Sequence, residues 1–495
     1  MDSKKINRRK FLINSFEAAA GIGVLAGCDK RAVVGSDIRP PSAPADVSYE
    51  LATDASGTVS VTLSWDRHDP TDVTGAKSET GIKGYNIYRA AGSASSGTLI
   101  ASMVPQPPNY VSPTYVDANG LLVGQTYAYT VTAIDESGNE SPQSDPQLVA
   151  IQPRVYVYSA TDPSVASITA PGATISNPSI QVDVVNRMID AAVTQMQVDN
   201  GSVATGATID KVWESLFTGP ALTAATLIGI KINTLGGGNV STKPAVVQAI
   251  VTSLKRMLGG TFNEYNIIVF DDRMLSLMTD AGYTLRDDGV HYRVACTHVN
   301  STLHQVRPAT TKEPDASLWV DAVTVSGISQ RLSAIIKAVD YIINVPVLKD
   351  HVQAGITFSM KNLYGIIDSP STLHATMCSP YIPALYSTQV NGVMVKDKIR
   401  LIIGDAIVGC ITGGPAGSPT NLVNTIVVGT DPVATDTWAM RTINTLRKAR
   451  SGNLPQIGFN PSKTGLPDAR HIFDASLPPY SLGSTNCVAK EVAVS

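Results

Sequence analysis

The sequence predicts a multidomain chain in which an all-β sandwich is followed by an α/β domain with a parallel or mixed sheet. Two observations carry this. Between about residues 41 and 150, short apolar runs alternate with polar residues and close on turn residues, as in half-buried strands. From about Arg154 the apolar runs become continuous and alternate with helical segments, as in a sheet covered on both faces. The 495 residues, 43% hydrophobic, suffice for two or three domains with their own cores. A charged fraction of 16% is too low for a disordered chain, and a net charge of −3 without long Lys/Arg runs gives no reason to expect nucleic acid as a partner.

The first elements are not part of the fold. Residues 7–12, with Arg8 and Arg9, resemble a twin-arginine export signal and lead into a small-residue apolar stretch at 18–26. That stretch is shorter than the roughly 20 apolar residues a membrane-spanning helix needs. Leu25-Ala26-Gly27-Cys28 resembles a lipobox, and Asp29 resembles a residue that retains some lipoproteins in the inner membrane. The resemblance implies a signal at 1–28, read by the twin-arginine translocase. It also implies export and a membrane anchor through lipid on Cys28, at the periplasmic or outer face of the cytoplasmic membrane. A linker follows at 29–40.

The runs 60–65, 84–89 and 127–134 each alternate with period two and read as strands. Trp65, Tyr85, Tyr88, Tyr127 and the Asp135–Ser141 turn together resemble a fibronectin type III domain over 41–150. The resemblance implies that Trp65 fills the core and that Tyr127 makes the corner hydrogen bond of such sandwiches. A domain of this kind serves as a spacer or a docking module, and fold alone does not choose between them.

In the second domain, 154–495, residues 227–232 read as a strand, 244–258 as a helix and 266–270 as the next strand, a βαβ unit. Further strands are expected at 341–345, 399–403 and 425–428, and helices at 355–363 and 433–444. Ligands of open α/β sheets bind beyond the carboxyl ends of the strands. Those ends carry Lys231, Asn233 and Gly236-Gly237-Gly238, then Asp271-Asp272, Lys349-Asp350-His351, Gly404-Asp405 and Thr430-Asp431. Asp431 before Pro432 also reads as a helix cap, and Asp272 and Asp405 as turn caps. The triple glycine matches neither nucleotide-loop pattern.

His351 beside Lys349 is the most suggestive position, since imidazole carries protons or binds metals near neutral pH. His374 and the Lys361-Asn362 pair lie close behind it in sequence. Lys361 at a helix end would equally complement the helix dipole. Lys231, Lys349, Lys361, His351 and His374, with Asn233 and Asn362, form the candidate ligand and proton-transfer set; Asp272, Asp405 and Asp431 are candidate ligands for a divalent metal of unknown identity. Of five cysteines, Cys28 is assigned to lipid. Cys296, Cys378, Cys410 and Cys487 leave room for up to two disulfides in an oxidising compartment, with no C-x-x-C pair for zinc or an iron–sulfur cluster.

Six stretches taken in order are similar to the DUF362 family: Ile230–Asn233, Asn344–His351, Gly355–Gly365, Gly404–Ile407, Gly413-Gly414-Pro415 and Thr430–Ala434. They span a motif core of 225–445. The resemblance names a family without a reaction. Some relatives carry ferredoxin-type cysteine clusters, which this chain lacks, so no internal cluster is expected. Three readings stay open: an envelope protein that binds or transforms a small anion, with or without a metal; a non-catalytic adhesion or assembly protein; and an accessory redox protein without its own cluster. G-x-S-x-G, H-E-x-x-H and Walker motifs are missing, which removes the best support for common hydrolases and NTPases.

Overall fold

A computed structural model describes residues 38–494 apart from 39, 55, 67–80, 94–96, 108–111, 171–172, 220, 272–274, 297–318, 451–453, 455 and 460–467. Arg8, Arg9, Cys28 and Asp272 lie outside the described residues.

The N-terminal domain is a fibronectin type III-like sandwich. One sheet pairs β1 (Ser48–Thr53), β2 (Val59–Ser64) and β5 (Thr114–Asp117). The other has the order β4 (Thr98–Pro105), β3 (Ile82–Ala91), β6 (Thr126–Asp135) and β7 (Gln147–Ala150). Alternation sends Tyr49, Leu51, Val61 and Leu63 inward against Tyr85, Ile87, Tyr129 and Val131. Trp65 is 1% exposed and meets Tyr85 edge-on at 5.2 Å between centroids. Tyr127 Oη donates to Gly120 O and accepts from Leu122 N, both at 3.3 Å, which is the corner bond the sequence implied.

The second domain is built on one mixed sheet. Its strands are β8 (Val155–Thr161), β11 (Ile228–Lys231), β12 (Ile267–Asp271), β13 (Arg293–Cys296), β16 (Tyr341–Asn344), β21 (Ile399–Cys410), β22 (Asn421–Gly429) and β23 (Cys487–Glu491). They lie in the order β13-β12-β11-β16-β21-β22-β8-β23. The short pairs β9 (Ala166–Ser167) with β10 (Ser179–Ile180), β14 (Trp319–Val325) with β15 (Ile328–Ser333), and β19 (Gln389–Val390) with β20 (Val393–Met394) stand outside it. Within the series only β22 runs antiparallel to its neighbours. Both faces are covered. Ile228, Ile230, Ile267, Val269, Tyr341 and Ile343 pack on the side of the Val182–Asp199 and Pro244–Leu254 helices; Ile268, Phe270 and Ile342 pack on the side of the Pro432–Ala449 helix. This two-sided burial is why the runs read as continuous rather than alternating.

Two expectations are corrected. Residues 355–363 are not a helix: Gly355–Thr357 forms β18, antiparallel to β17 (Val347–His351), and a 3₁₀ turn follows at Lys361–Ile366. Ile356, Met360 and Leu363 fall at helical spacing, but all are buried in one core that also takes the intervening Phe358, so tertiary burial rather than an amphipathic face set the pattern. Lys361 therefore does not cap an α-helix. Cys296, Cys378, Cys410 and Cys487 are buried and free, so no disulfide joins them.

Candidate functional site

The parallel strands β12, β11 and β16 end side by side, and their last residues meet. Lys231 closes β11, Asp271 closes β12 and Asn344 closes β16, with Lys231 in register with Asn344 and Phe270. Beyond β16 the chain passes Val345-Pro346 into β17, which pairs with the second half of β21 and carries Lys349 and His351 on one face. The 3₁₀ turn after β18 brings Lys361 and Asn362 back over the strand ends.

The inner part is a saturated polar network. Lys231 Nζ lies 2.8 Å from Asp271 Oδ1, with both side chains at most 2% exposed, and also donates to Ile232 O at 2.5 Å and Asn362 Oδ1 at 3.3 Å. Asp271 Oδ2 accepts the Thr234 amide and hydroxyl at 2.7 and 2.8 Å. Asn233 Nδ2 donates to Asn362 Oδ1 at 3.1 Å, and its Oδ1 accepts from Lys349 Nζ at 2.8 Å. Asn362 Nδ2 reaches Asn344 Oδ1 at 2.7 Å. Such a network fixes the strand ends relative to one another, because each buried charge has partners whose loss would strand it.

Two glycines make room. A Cβ on Gly365 would come within 2.1 Å of Asp271 Oδ1 and 2.6 Å of Lys231 Nζ, so the turn can close over the ion pair only without a side chain. A Cβ on Gly236 would strike the Val240 backbone at 2.3 Å. The triple-glycine loop thus folds tightly enough to deliver Val240 O to Lys349 Nζ at 3.2 Å, rather than cradling a phosphate.

The outer part reaches the surface through His374, while Lys361 and His351 are buried beneath it. Lys361 Nζ is 3.0 Å from His374 Nε2 and 3.7 Å from the centre of the Tyr364 ring, a cation–π contact. His374 Nδ1 lies 2.9 Å from Pro370 O, which can only accept, so Nδ1 carries the hydrogen and Nε2 is the acceptor for the lysine. His351 Nδ1 accepts from Gln353 N at 3.0 Å and Ala354 N at 3.2 Å, leaving its hydrogen on Nε2. The two imidazoles stack at 5.6 Å between centroids. Burial, reinforced by the charges of Lys361 and Lys349, pushes His351 down to about 2. It is a permanently neutral donor at physiological pH. His374 is only half-buried, whereas His351 and Lys361 are 3% and 5% exposed.

The metal candidates sit differently. Asp405 Oδ2 accepts Lys243 N at 2.8 Å and its Oδ1 accepts Ile407 N at 3.2 Å; burial raises its carboxyl to about 6. Asp431 accepts Ala434 N and Ser484 N at 2.8 and 2.9 Å, so it caps the Pro432–Ala449 helix and ties down the C-terminal segment. Burial raises it to about 6 as well. Among the described residues no three His, Cys, Asp or Glu side chains converge as a metal would require.

Sequence reasoning missed four residues of the site. Asn344 was legible as a strand end. Tyr364 was not, because its role depends on the unforeseen 3₁₀ turn. Nor was the fully buried pair Asp436–His471, 3.6 Å apart, where Asp436 Oδ2 also accepts Met360 N at 3.2 Å.

With this geometry in hand, comparison with known proteins places residues 228–441 on the model of a family described as Domain of unknown function (DUF362). An amylopullulanase from Thermoanaerobacterium saccharolyticum is 31% identical over 136 residues, covering 28% of this chain and 9% of that protein. Chitinase Chi52 of Paenibacillus xylanexedens is 33% identical over 108 residues, 22% of this chain and 16% of its own length. The chain thus spans only a small part of these curated relatives. Among solved structures, the chicken CNTN1 FN1–FN3 domains match 23% of this chain and 31% of theirs at 18% identity and a TM-score of 0.17. Titin module A71 from human cardiac muscle matches 23% of this chain and 95% of its own at 18% identity and a TM-score of 0.16.

Proposed function

Starting from a chain whose residues 228–441 are a DUF362 domain behind a fibronectin type III-like sandwich, we propose an exported, lipid-anchored envelope protein whose larger domain binds a small anionic molecule and exchanges a proton with it. The observation that carries this reading is the outer group. A lysine ammonium is held against a half-buried imidazole whose tautomer is set by Pro370 O, beside a second imidazole that stays neutral. Lys361 supplies the charge that draws an anion, His351 Nε2–H a neutral donor, and His374 the proton-exchanging site. Lys231, Asn233, Asn362 and Lys349 hold the floor on which these groups stand. A divalent metal on Asp405 or Asp431 is not part of the reading, since both carboxylates already accept backbone N–H groups.

The test is a thermal-shift screen of the purified chain with inorganic phosphate and a series of mono- and dicarboxylates, repeated with Lys361→Met and His374→Asn. The expected result is stabilisation by at least one anion that both substitutions remove. No shift with any anion, or a shift that survives both substitutions, refutes the reading. Export and anchoring rest on the twin-arginine and lipobox resemblances at Arg8, Arg9 and Cys28 and have their own test below.

A further inference from the structure

The sandwich is docked on the larger domain. Tyr49 packs against Phe459 and Phe473 at 5.9 and 6.4 Å between ring centroids. Asn486 Nδ2 donates to Thr53 Oγ1 at 2.7 Å, and Arg441 bridges Cys487 O at 2.7 Å and Leu51 O at 3.4 Å. Beside this contact a cleft of about 700 Å³ opens between the outward face of β1, β2 and β5 and the Pro432–Ala449 helix. Its size falls within the roughly 300–1,000 Å³ of ligand pockets, which favour domain interfaces.

The walls follow from the two periodicities of the sequence. In β1 and β2 the residues alternate with the buried Tyr49, Leu51, Val61 and Leu63, so Ser48, Glu50, Thr62 and Ser64 point into the cleft. Register sets them in rows: Glu50 opposite Thr62, and Ser48 opposite Ser64, which in turn lies opposite Thr114. On the other wall Arg441, Asn444, Thr445 and Lys448 recur at helical spacing on one face. Phe459 adds a partly buried ring.

The lining therefore offers hydroxyls, the amides of Gln147, Asn444 and Gln456, the carboxylates of Asp46, Glu50 and Asp66, and the cations Arg441 and Lys448. A polyanion would meet the carboxylates of Asp46, Glu50 and Asp66 and a chain of net charge −3. A lipid chain would meet the charges of Asp46, Glu50, Asp66, Arg441 and Lys448. What matches is an uncharged molecule rich in hydroxyls, each both donor and acceptor, with ring faces that pack on an aromatic side chain. We propose that this interdomain cleft binds an oligosaccharide. The cleft shares no lining residue with the strand-end site, so the proposal stands apart from the anion reading.

The test is isothermal titration of the full, purified chain with maltohexaose, cellohexaose and chitohexaose. At least one should bind. The pair Glu50→Ala and Lys448→Ala, which removes two charged hydrogen-bonding groups, should weaken binding roughly tenfold or more. Thr62→Trp, which fills the cleft from an already solvent-facing position, should abolish it with the melting temperature unchanged. Lys361→Met should leave it intact. If none of the three binds at millimolar concentration, or if Thr62→Trp binds as the parent does, the proposal is overturned.

Discussion

Removing one partner of the Lys231–Asp271 pair tests whether the strand ends are held by a buried charge or merely by packing. Both side chains are at most 2% exposed, and Asp271 also accepts two bonds from Thr234. Asp271→Leu takes from the buried Lys231 ammonium its carboxylate at 2.8 Å and orphans the Thr234 N–H. Breaking a buried pair on one side costs about 3–5 kcal/mol, and a stranded N–H about 1–3 kcal/mol more. Lys231→Met strands the carboxylate instead, less severely, because Thr234 still donates to it. In Lys231→Met/Asp271→Leu no charge is left behind, and replacement of a buried pair by apolar side chains is often near neutral. The double variant should therefore be more stable than Asp271→Leu alone, with an interaction energy of at least about 2 kcal/mol in urea unfolding read by circular dichroism. Additive single effects would refute the reasoning, since they would mean that neither side chain senses the other's charge.

Three further predictions concern Asp405, Asp431 and Cys28. Burial holds the Asp405 carboxyl up at about 6 against an ordinary 3.8, so its stabilising contribution is full below about pH 4 and falls as pH rises towards 6, by on the order of 3 kcal/mol. In Asp405→Asn that slope should vanish, so the parent's advantage over the variant should shrink between pH 4 and 6; a difference that is flat across the window would show that Asp405 titrates normally. Asp431→Ala removes a helix cap and a tie to Ser484, and should cost about 1–2 kcal/mol or more of stability by denaturant midpoint, with Asp431→Ser recovering part of it. Finally, cells fed an alkyne-labelled palmitate should label the parent chain but not Cys28→Ala, and Arg8→Lys/Arg9→Lys should keep the chain in the cytoplasmic fraction; labelling of Cys28→Ala would sink the lipobox reading.

The strand ends were legible because a βαβ unit leaves little freedom. Once Ile228–Lys231 and Ile267–Asp271 are parallel neighbours, Lys231 and Asp271 must fall at the same edge. Which carboxylate of Asp271-Asp272 would matter was not legible, since a strand's last inward residue depends on its register. The cap at Asp431 was visible through Pro432, a local signal. Lys361 and His374 are another case: their contact is made by a 3₁₀ turn inside a buried apolar stretch, where the pattern of burial mimics a helix. The docking of the sandwich was equally invisible, because Tyr49, Phe459 and Asn486 sit in segments whose own spacing says nothing about each other. The contacts of Arg441 and Asn486 fasten the sandwich to the domain it precedes.

The place of β8 in the sheet bears on when the domain can become whole. This strand enters the chain first among the sheet's members, yet its neighbours are β22 and β23, the last two to be made. Ser159 and Glu491, bonded at 2.8 Å, are 332 residues apart. Closing so long a loop is slow, and no partner for β8 exists while the ribosome is still working through the middle of the chain. The sheet is therefore finished only once synthesis has reached its final strand.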